Sequence, residues 1–199
     1  EFYHKQAKII INKSDLITTP ELKEQRDILK YAYNSIGYEV HEVSALDKES
    51  VKFLQDEIKD KIVMFGGHSG VGKSTLVNAL DENIHLKTGK ISDYHKTGQH
   101  TTTFAEMVEL QTGGYIVDTP GIRSFGLIDY DKNSLSHYFP EMRELLPKCK
   151  FNNCQHINEP KCAVKEAYEN SEIFPDRYRN YVNMMTMDES DHYRQNIHE

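Results

Sequence analysis

Gly67-His68-Ser69-Gly70-Val71-Gly72-Lys73-Ser74 is the stretch on which the reading of this chain turns. It fits G-x-x-x-x-G-K-[ST] without a mismatch. Lys61 to Phe65, before it, reads as an apolar strand, and Lys73 to Leu80, after it, as a helix. Glycines let the backbone turn its N–H groups toward one concave point. With the helix N-terminus, that nest holds phosphate oxygens. Gly66, Gly67, His68, Ser69, Gly70, Val71 and Gly72 supply the backbone, and Thr75 lies in the first helical turn. Lys73 brings a positive charge to the β- and γ-phosphates, and the Ser74 hydroxyl is a magnesium ligand.

Working outward, Asn12-Lys13-Ser14-Asp15 follows the short apolar run Lys8 to Ile11. At the end of a strand, N-K-x-D places the Asp15 carboxylate to accept from guanine N1 and the 2-amino group. Adenine lacks that donor pair, and an unmatched carboxylate would penalise it. Alone, Asn-Lys-Ser-Asp reads equally well as a surface turn; beside a phosphate loop, it reads as a guanine site. Ser44-Ala45, after the next strand, suits hydroxyl and backbone contacts to guanine O6. Downstream, Asp118-Thr119-Pro120-Gly121 ends the apolar run Tyr115 to Val117. Asp118 would hold magnesium through water, and Gly121 would offer its N–H to the γ-phosphate. The bland alternative is a Pro-Gly turn. Thr101-Thr102-Thr103 lies between, and one of these hydroxyls or carbonyls would complete the magnesium shell, with Thr102 placed among the nucleotide-site residues; the alternative is a β-prone linker.

Cys149, Cys154, His156 and Cys162 form a compact set, C-x4-C-x-H-x5-C. Three thiolates and an imidazole satisfy tetrahedral zinc and leave no open position. Such a site is structural, not catalytic. The competing reading is three buried cysteines and a surface histidine.

The chain has 199 residues and a formal net charge of −7. That balance argues against gripping nucleic acid with the whole surface but leaves room for a local basic patch. No stretch approaches the ~20 apolar residues of a membrane helix, and the first residues do not form a signal peptide. Three cysteines are no disulfide scaffold, so a reducing, cytoplasmic setting is expected.

The first half alternates strands (Lys8–Ile11, Glu39–Val43, Lys61–Phe65) with helices (Pro20 to about Ile36, Glu49–Ile58). Thr19 is placed to cap the first helix, with Pro20 at its first position. The β-α-β-α-β order implies a mostly parallel sheet with flanking helices. Ala105–Leu110 and Tyr115–Val117 read as a hairpin around Gly113-Gly114. Ala163–Asn170 and Pro175–Met187 read as helices. A boundary near residue 135 divides a nucleotide domain, 1–134, from a zinc-binding helical module, 135–199.

The order of these motifs is unusual. In ordinary GTPases the phosphate loop precedes D-x-x-G, N-K-x-D and S-A. Here N-K-S-D and S-A come first, as after a circular permutation. With G-H-S-G-V-G-K-S-T-L-V-N, G-Q-H-T-T-T, D-T-P-G-I-R-S-F-G-L and the Cys/His set, the chain resembles the circularly permuted ribosome small-subunit-dependent GTPases, the RsgA or YjeQ family. Gln99 departs from the family, which usually carries a basic residue there.

The resemblance implies a magnesium-dependent GTPase turning GTP into GDP and phosphate. It also implies a role in late maturation of the small ribosomal subunit, with contact to rRNA and transient association with the ribosome in the cytoplasm; a monomer is the default. It makes zinc the expected ion of the Cys/His set. It further implies an oligonucleotide-binding barrel, a sheet strand and most of a helix upstream of N-K-S-D. The strand would lie beside the phosphate-loop strand, and Glu1–Gln6 would be the tail of the helix. The chain is therefore expected to be a fragment, and one lacking a central strand should fold poorly.

Ile122 occupies the place after D-T-P-G where Ras-like enzymes carry a water-orienting Gln. An apolar side chain orients no water, so His100, just before the threonines, is the candidate for that role; an exposed or ribosome-contacting histidine is the alternative. A second class of function is a guanine-nucleotide-dependent binding switch with negligible hydrolysis. An ATP-using kinase is disfavoured by N-K-S-D.

Overall fold

The computed structural model describes residues 1–84, 106–118 and 131–186. His100, Thr101 to Thr103, Gly121 and Ile122 lie outside the described residues.

The strands are β1 (Lys8–Ile11), β2 (Glu39–Glu42), β3 (Ile62–Met64), β4 (Glu106–Glu109) and β5 (Tyr115–Asp118). The α-helices are α1 (Pro20–Asn34), α2 (Lys48–Ile58), α3 (Lys73–Leu80), α4 (Pro140–Arg143), α5 (Ala163–Glu169) and α6 (Pro175–Thr186). The Leu22 amide donates to the Thr19 hydroxyl at 3.3 Å, the cap expected from sequence. Asp47 caps α2 by accepting from the Glu49 and Ser50 amides. Gly37, at φ +95°, ends the turn that follows α1.

β3 pairs with β5 in parallel, with Ile62, Val63 and Met64 opposite Tyr115, Ile116 and Val117. β4 and β5 form the expected antiparallel hairpin. The Leu110 amide donates to the Gly114 carbonyl and the Gly113 amide to the Leu110 carbonyl. Gly114 tolerates no side chain: a Cβ there would lie 2.5 Å from the Lys61 carbonyl oxygen.

One continuous sheet is not formed by the described strands. β1–β2 is a separate two-stranded sheet, and the other runs in the order β3-β5-β4. Sheet hydrogen bonds require neighbours about 4.8 Å apart, and no described strand bridges the two groups. Glu1–Gln6 departs from expectation. It is a single turn, closed by the His4 amide on the Glu1 carbonyl, not a helical tail. Six residues return too few hydrogen bonds to repay helix nucleation.

Two compact units result, one of Ile9–Ile28 with Val40–Phe125, the other of Glu1–Lys8, Leu29–Glu39 and Gly126–Glu199. The core of the first gathers Val43, Leu54, Ile58, Leu76, Val77, Leu80, Leu110 and Ile116. Alternation along β5 buries Ile116 between its partly exposed neighbours. The second core gathers Leu135, Phe139, Met142, Val164, Ala167, Ile173 and Tyr181. Among the described residues, no helix is long and apolar enough to cross a membrane.

Candidate nucleotide and metal sites

The phosphate loop follows β3 and ends where Gly72, at φ +92°, caps α3. A Cβ on Gly72 would sit 2.5 Å from Asn12 Nδ2. That close approach shows what Asn12 does in the fold. Its Nδ2 donates to the Val71 carbonyl at 3.0 Å. Beside it, Lys13 Nζ donates to the Gly70 carbonyl at 2.8 Å. The N-K-S-D turn and the phosphate loop, remote in sequence, thus brace each other directly. Lys13 itself takes the left-handed conformation, φ +62°, opening the 3₁₀ turn Ser14–Leu16.

Ser14 joins the next strand through its amide, which donates to the Val43 carbonyl at 3.0 Å. Asp15 is exposed, while Ser44 is 2% exposed. The Ser44 hydroxyl donates to Asp15 Oδ1 at 2.5 Å and accepts from the Leu46 amide at 3.2 Å. The carboxylate is therefore oriented from behind by a buried hydroxyl. Ala45 packs against the core, leaving its backbone at the same corner.

Lys73 lies in the first turn of α3, and its Nζ donates to the Gly67 and His68 carbonyls at 2.5 and 2.8 Å. The ammonium therefore sits over the loop it belongs to, where phosphate oxygens would lie. Gly66 to Val71 are all exposed, as is Thr75, and Ser74 is half-buried. Asp118 ends β5, which lies beside β3. Parallel pairing brings the ends of both strands to the same side of the sheet, as ligand sites at strand carboxyl ends require.

In the other unit, Cys149, Cys154, His156 and Cys162 bring their four donor atoms within 4.8 Å of one another. His156 Nδ1 lies 3.6 Å from Cys149 Sγ and 3.4 Å from Cys162 Sγ, and the two sulfurs are 4.0 Å apart. Burial pushes the Cys154 thiol up to about 12, against the pull of the His156 amide. It raises Cys162 as well and lowers His156. Burial thus disfavours the charged form of each group, and a cation bound to thiolates and a neutral imidazole would offset that cost. Three soft sulfurs and one nitrogen, mutually within reach, fit zinc and leave no place for a substrate. Cys162 also caps α5, accepting from the Lys165 amide at 3.5 Å, so the cluster is joined to the helix after it.

Residues 1–128 match the RsgA GTPase family. The chain belongs to that family. It is 46% identical over 196 residues to the small ribosomal subunit biogenesis GTPase RsgA of Flavobacterium psychrophilum, covering 98% of this chain and 60% of that protein. The protein of the same name from Bacteroides fragilis is 44% identical over 194 residues, with 98% and 62% covered. The crystal structure of YjeQ from Thermotoga maritima superposes with a TM-score of 0.73 at 37% identity, covering 90% of this chain and 59% of that one. YloQ, described as a circularly permuted GTPase, gives a TM-score of 0.69 at 35% identity, with 90% and 55% covered. The chain thus spans about three fifths of the length of the relatives it matches.

For an RsgA family member, the contacts around the two sites add what the motifs left out. Asn12 and Lys13 brace the loop, a role that no pattern at residues 12–15 announces. Glu159, Tyr178 and Tyr181 contact the main chain of the cysteine loop, and no motif marks them. A Glu-Pro pair between the last two ligands was the available signal for Glu159. For the tyrosines of α6 there was none.

Proposed function

We propose that the protein is a magnesium-dependent GTPase that hydrolyses GTP to GDP and phosphate during late maturation of the small (30S) ribosomal subunit. The observation that carries this reading is the direct bracing of the phosphate loop by Asn12 and Lys13. Phosphate and base recognition thereby become one site, in a chain whose relatives are named small ribosomal subunit biogenesis GTPases.

In this reading Asp15, held by Ser44, selects guanine. The loop amides and Lys73 take the phosphates. Ser74 and Asp118, with Thr102, would hold magnesium, whose charge offsets that building on the phosphoryl oxygens. Gly121 serves the γ-phosphate, and His100 positions water. Zinc on Cys149, Cys154, His156 and Cys162 is structural, holding a module that starts near residue 135. The partners are the small subunit and its rRNA, met by a cytoplasmic monomer that binds the ribosome transiently.

The test is GTP hydrolysis by the full-length protein and its Lys73→Ala variant, with and without purified small subunits. Stimulation by subunits that vanishes in the variant is the expected result. Turnover indifferent to subunits would remove the ribosomal partner from the proposal. Absence of turnover, with GTP still bound, would favour the binding switch, the reading to which Ile122 lends support.

A further inference from the structure

His156 adopts a left-handed backbone, φ +58°. A non-glycine residue holds that conformation only where its surroundings over-determine it. Two sets of contacts do so, one on the amides flanking it and one on the carbonyls. Glu159 turns its carboxylate back into the loop. Its Oε1 accepts from the Gln155 amide at 2.8 Å, and its Oε2 from the Ile157 and Asn158 amides at 3.1 Å each. The three amides lie on both sides of His156 in sequence.

The carbonyls are taken by α6. Tyr178 donates its hydroxyl to the His156 carbonyl at 2.7 Å, and Tyr181 donates to the Gln155 carbonyl at 2.9 Å. Three residues apart, the two tyrosines share one face of the helix. Neither ring is free to swing. Tyr181 is 1% exposed and meets Phe139 edge-on, with ring centres 5.4 Å apart. Tyr178 stacks on Tyr168 at 4.3 Å. The main chain around His156 is thus held from a rigid helix and from within its own loop.

We infer that Glu159 and Tyr178 are positioning residues of the metal site. They fix the left-handed turn at His156 that carries Nδ1 to the cysteine sulfurs, so that the loop is shaped before the ion arrives. The inference rests on the zinc reading above. Groups outside the ligand set that orient a ligand commonly govern metal affinity, and their loss costs about 10–100-fold. A merely structural role would lower thermal stability but leave the ion's affinity and ligand field alone.

The experiment measures zinc affinity of the full-length protein by competition with a chromogenic chelator, and the absorption spectrum of its cobalt(II) form. In Glu159→Gln an amide group replaces one acceptor oxygen and faces backbone donors. Its zinc dissociation constant is expected to rise about 10–100-fold, with a weakened cobalt ligand-field band. Tyr178→Phe loses one hydroxyl, and a rise of roughly 3–10-fold is expected. Should Glu159→Gln fail to fold, Tyr178→Phe decides, because it keeps the stacked ring. Both folded variants binding zinc within about twofold of the parent, with its cobalt spectrum, would overturn this inference alone. A parent protein that takes up no zinc would overturn the zinc reading and this inference together.

Discussion

From Gly66 to Val71 every residue of the phosphate loop is exposed, whereas His156, at the centre of the cysteine cluster, is 2% exposed. The loop works with backbone amides, and its side-chain supports are Asn12 and Lys13 from a neighbouring turn. The cluster works with side chains, and its main chain is held by other side chains from α6 and Glu159. The difference follows from the ligand each must take. A nucleotide has to enter and leave, so its cradle stays open and depends on a chain path that glycine permits. A structural ion would stay, and two of its proposed donors, His156 and Cys162, are buried while Cys149 and Cys154 are partly so.

The sharpest way to break this comparison is to remove the ion. Cys162→Ser, or chelation, is expected to cost the cysteine module most of its stability, since structural zinc sites carry about 10–16 kcal/mol of apparent binding energy. The near-ultraviolet dichroism of Tyr178 and Tyr181 should collapse, while GDP binding in the other unit should persist. Simultaneous loss of both would show that the two sites are not separate devices.

Asp15→Ala tests the nucleotide site next. Preference for guanine over adenine nucleotides should fall by about 10⁴-fold, read from competition binding. Unchanged preference would move base recognition away from the N-K-S-D turn.

A smaller effect separates two glycines of one loop. Gly72→Ala forces a Cβ to 2.5 Å from Asn12 Nδ2 at φ +92°, and urea unfolding should show a loss of about 1–3 kcal/mol. Gly70→Ala has a similar φ, +81°, but no atom within 4 Å of the new Cβ, so its loss should be about 1 kcal/mol. Equal losses would mean that the Asn12 brace contributes nothing.

The last prediction concerns pH. Burial raises the Cys154 and Cys162 thiols, so both carry protons near neutrality in the metal-free protein. Burial lowers His156, which is then neutral there and has no proton to lose. Zinc uptake near pH 7 should release two or more protons. Its apparent affinity should therefore rise with pH and fall on acidification, as titration in weak buffer would reveal. Uptake without proton release would contradict buried, protonated thiols.

Much of the nucleotide site is legible at residues 12–15, 44–45, 66–75 and 118 because each motif is a short piece of chain doing local chemistry. The roles proposed for Asp15, Lys73 and Ser74 rest on residue type and spacing, and the permuted order of the motifs points to the family. The four candidate metal ligands are legible for the same reason, since they lie within one loop. The hairpin around Gly113-Gly114 was too, because a turn there requires residues that tolerate positive φ. One expectation failed at longer range: Glu1–Gln6 is a turn, not the tail of a helix. β1–β2 and β3-β5-β4 stay apart at the place where the resemblance puts a further strand beside β3. Periodicity reports which face of a strand is buried, but not which strand lies beside it.

What the linear order of residues determined, then, is the chemistry on offer: a loop shaped as a phosphate cradle, a carboxylate proposed to read guanine and a soft-metal donor set. Tertiary structure alone decided the supports. The loop carbonyls are met by Asn12 and Lys13, Asp15 is oriented by a buried Ser44, and the turn at His156 is held by tyrosines from α6. The reason is physical. A ligand atom must have a particular chemistry, and that chemistry is written in the residue itself. A support needs only one hydrogen-bonding group at the right place, and any distant part of the chain that folds there will serve.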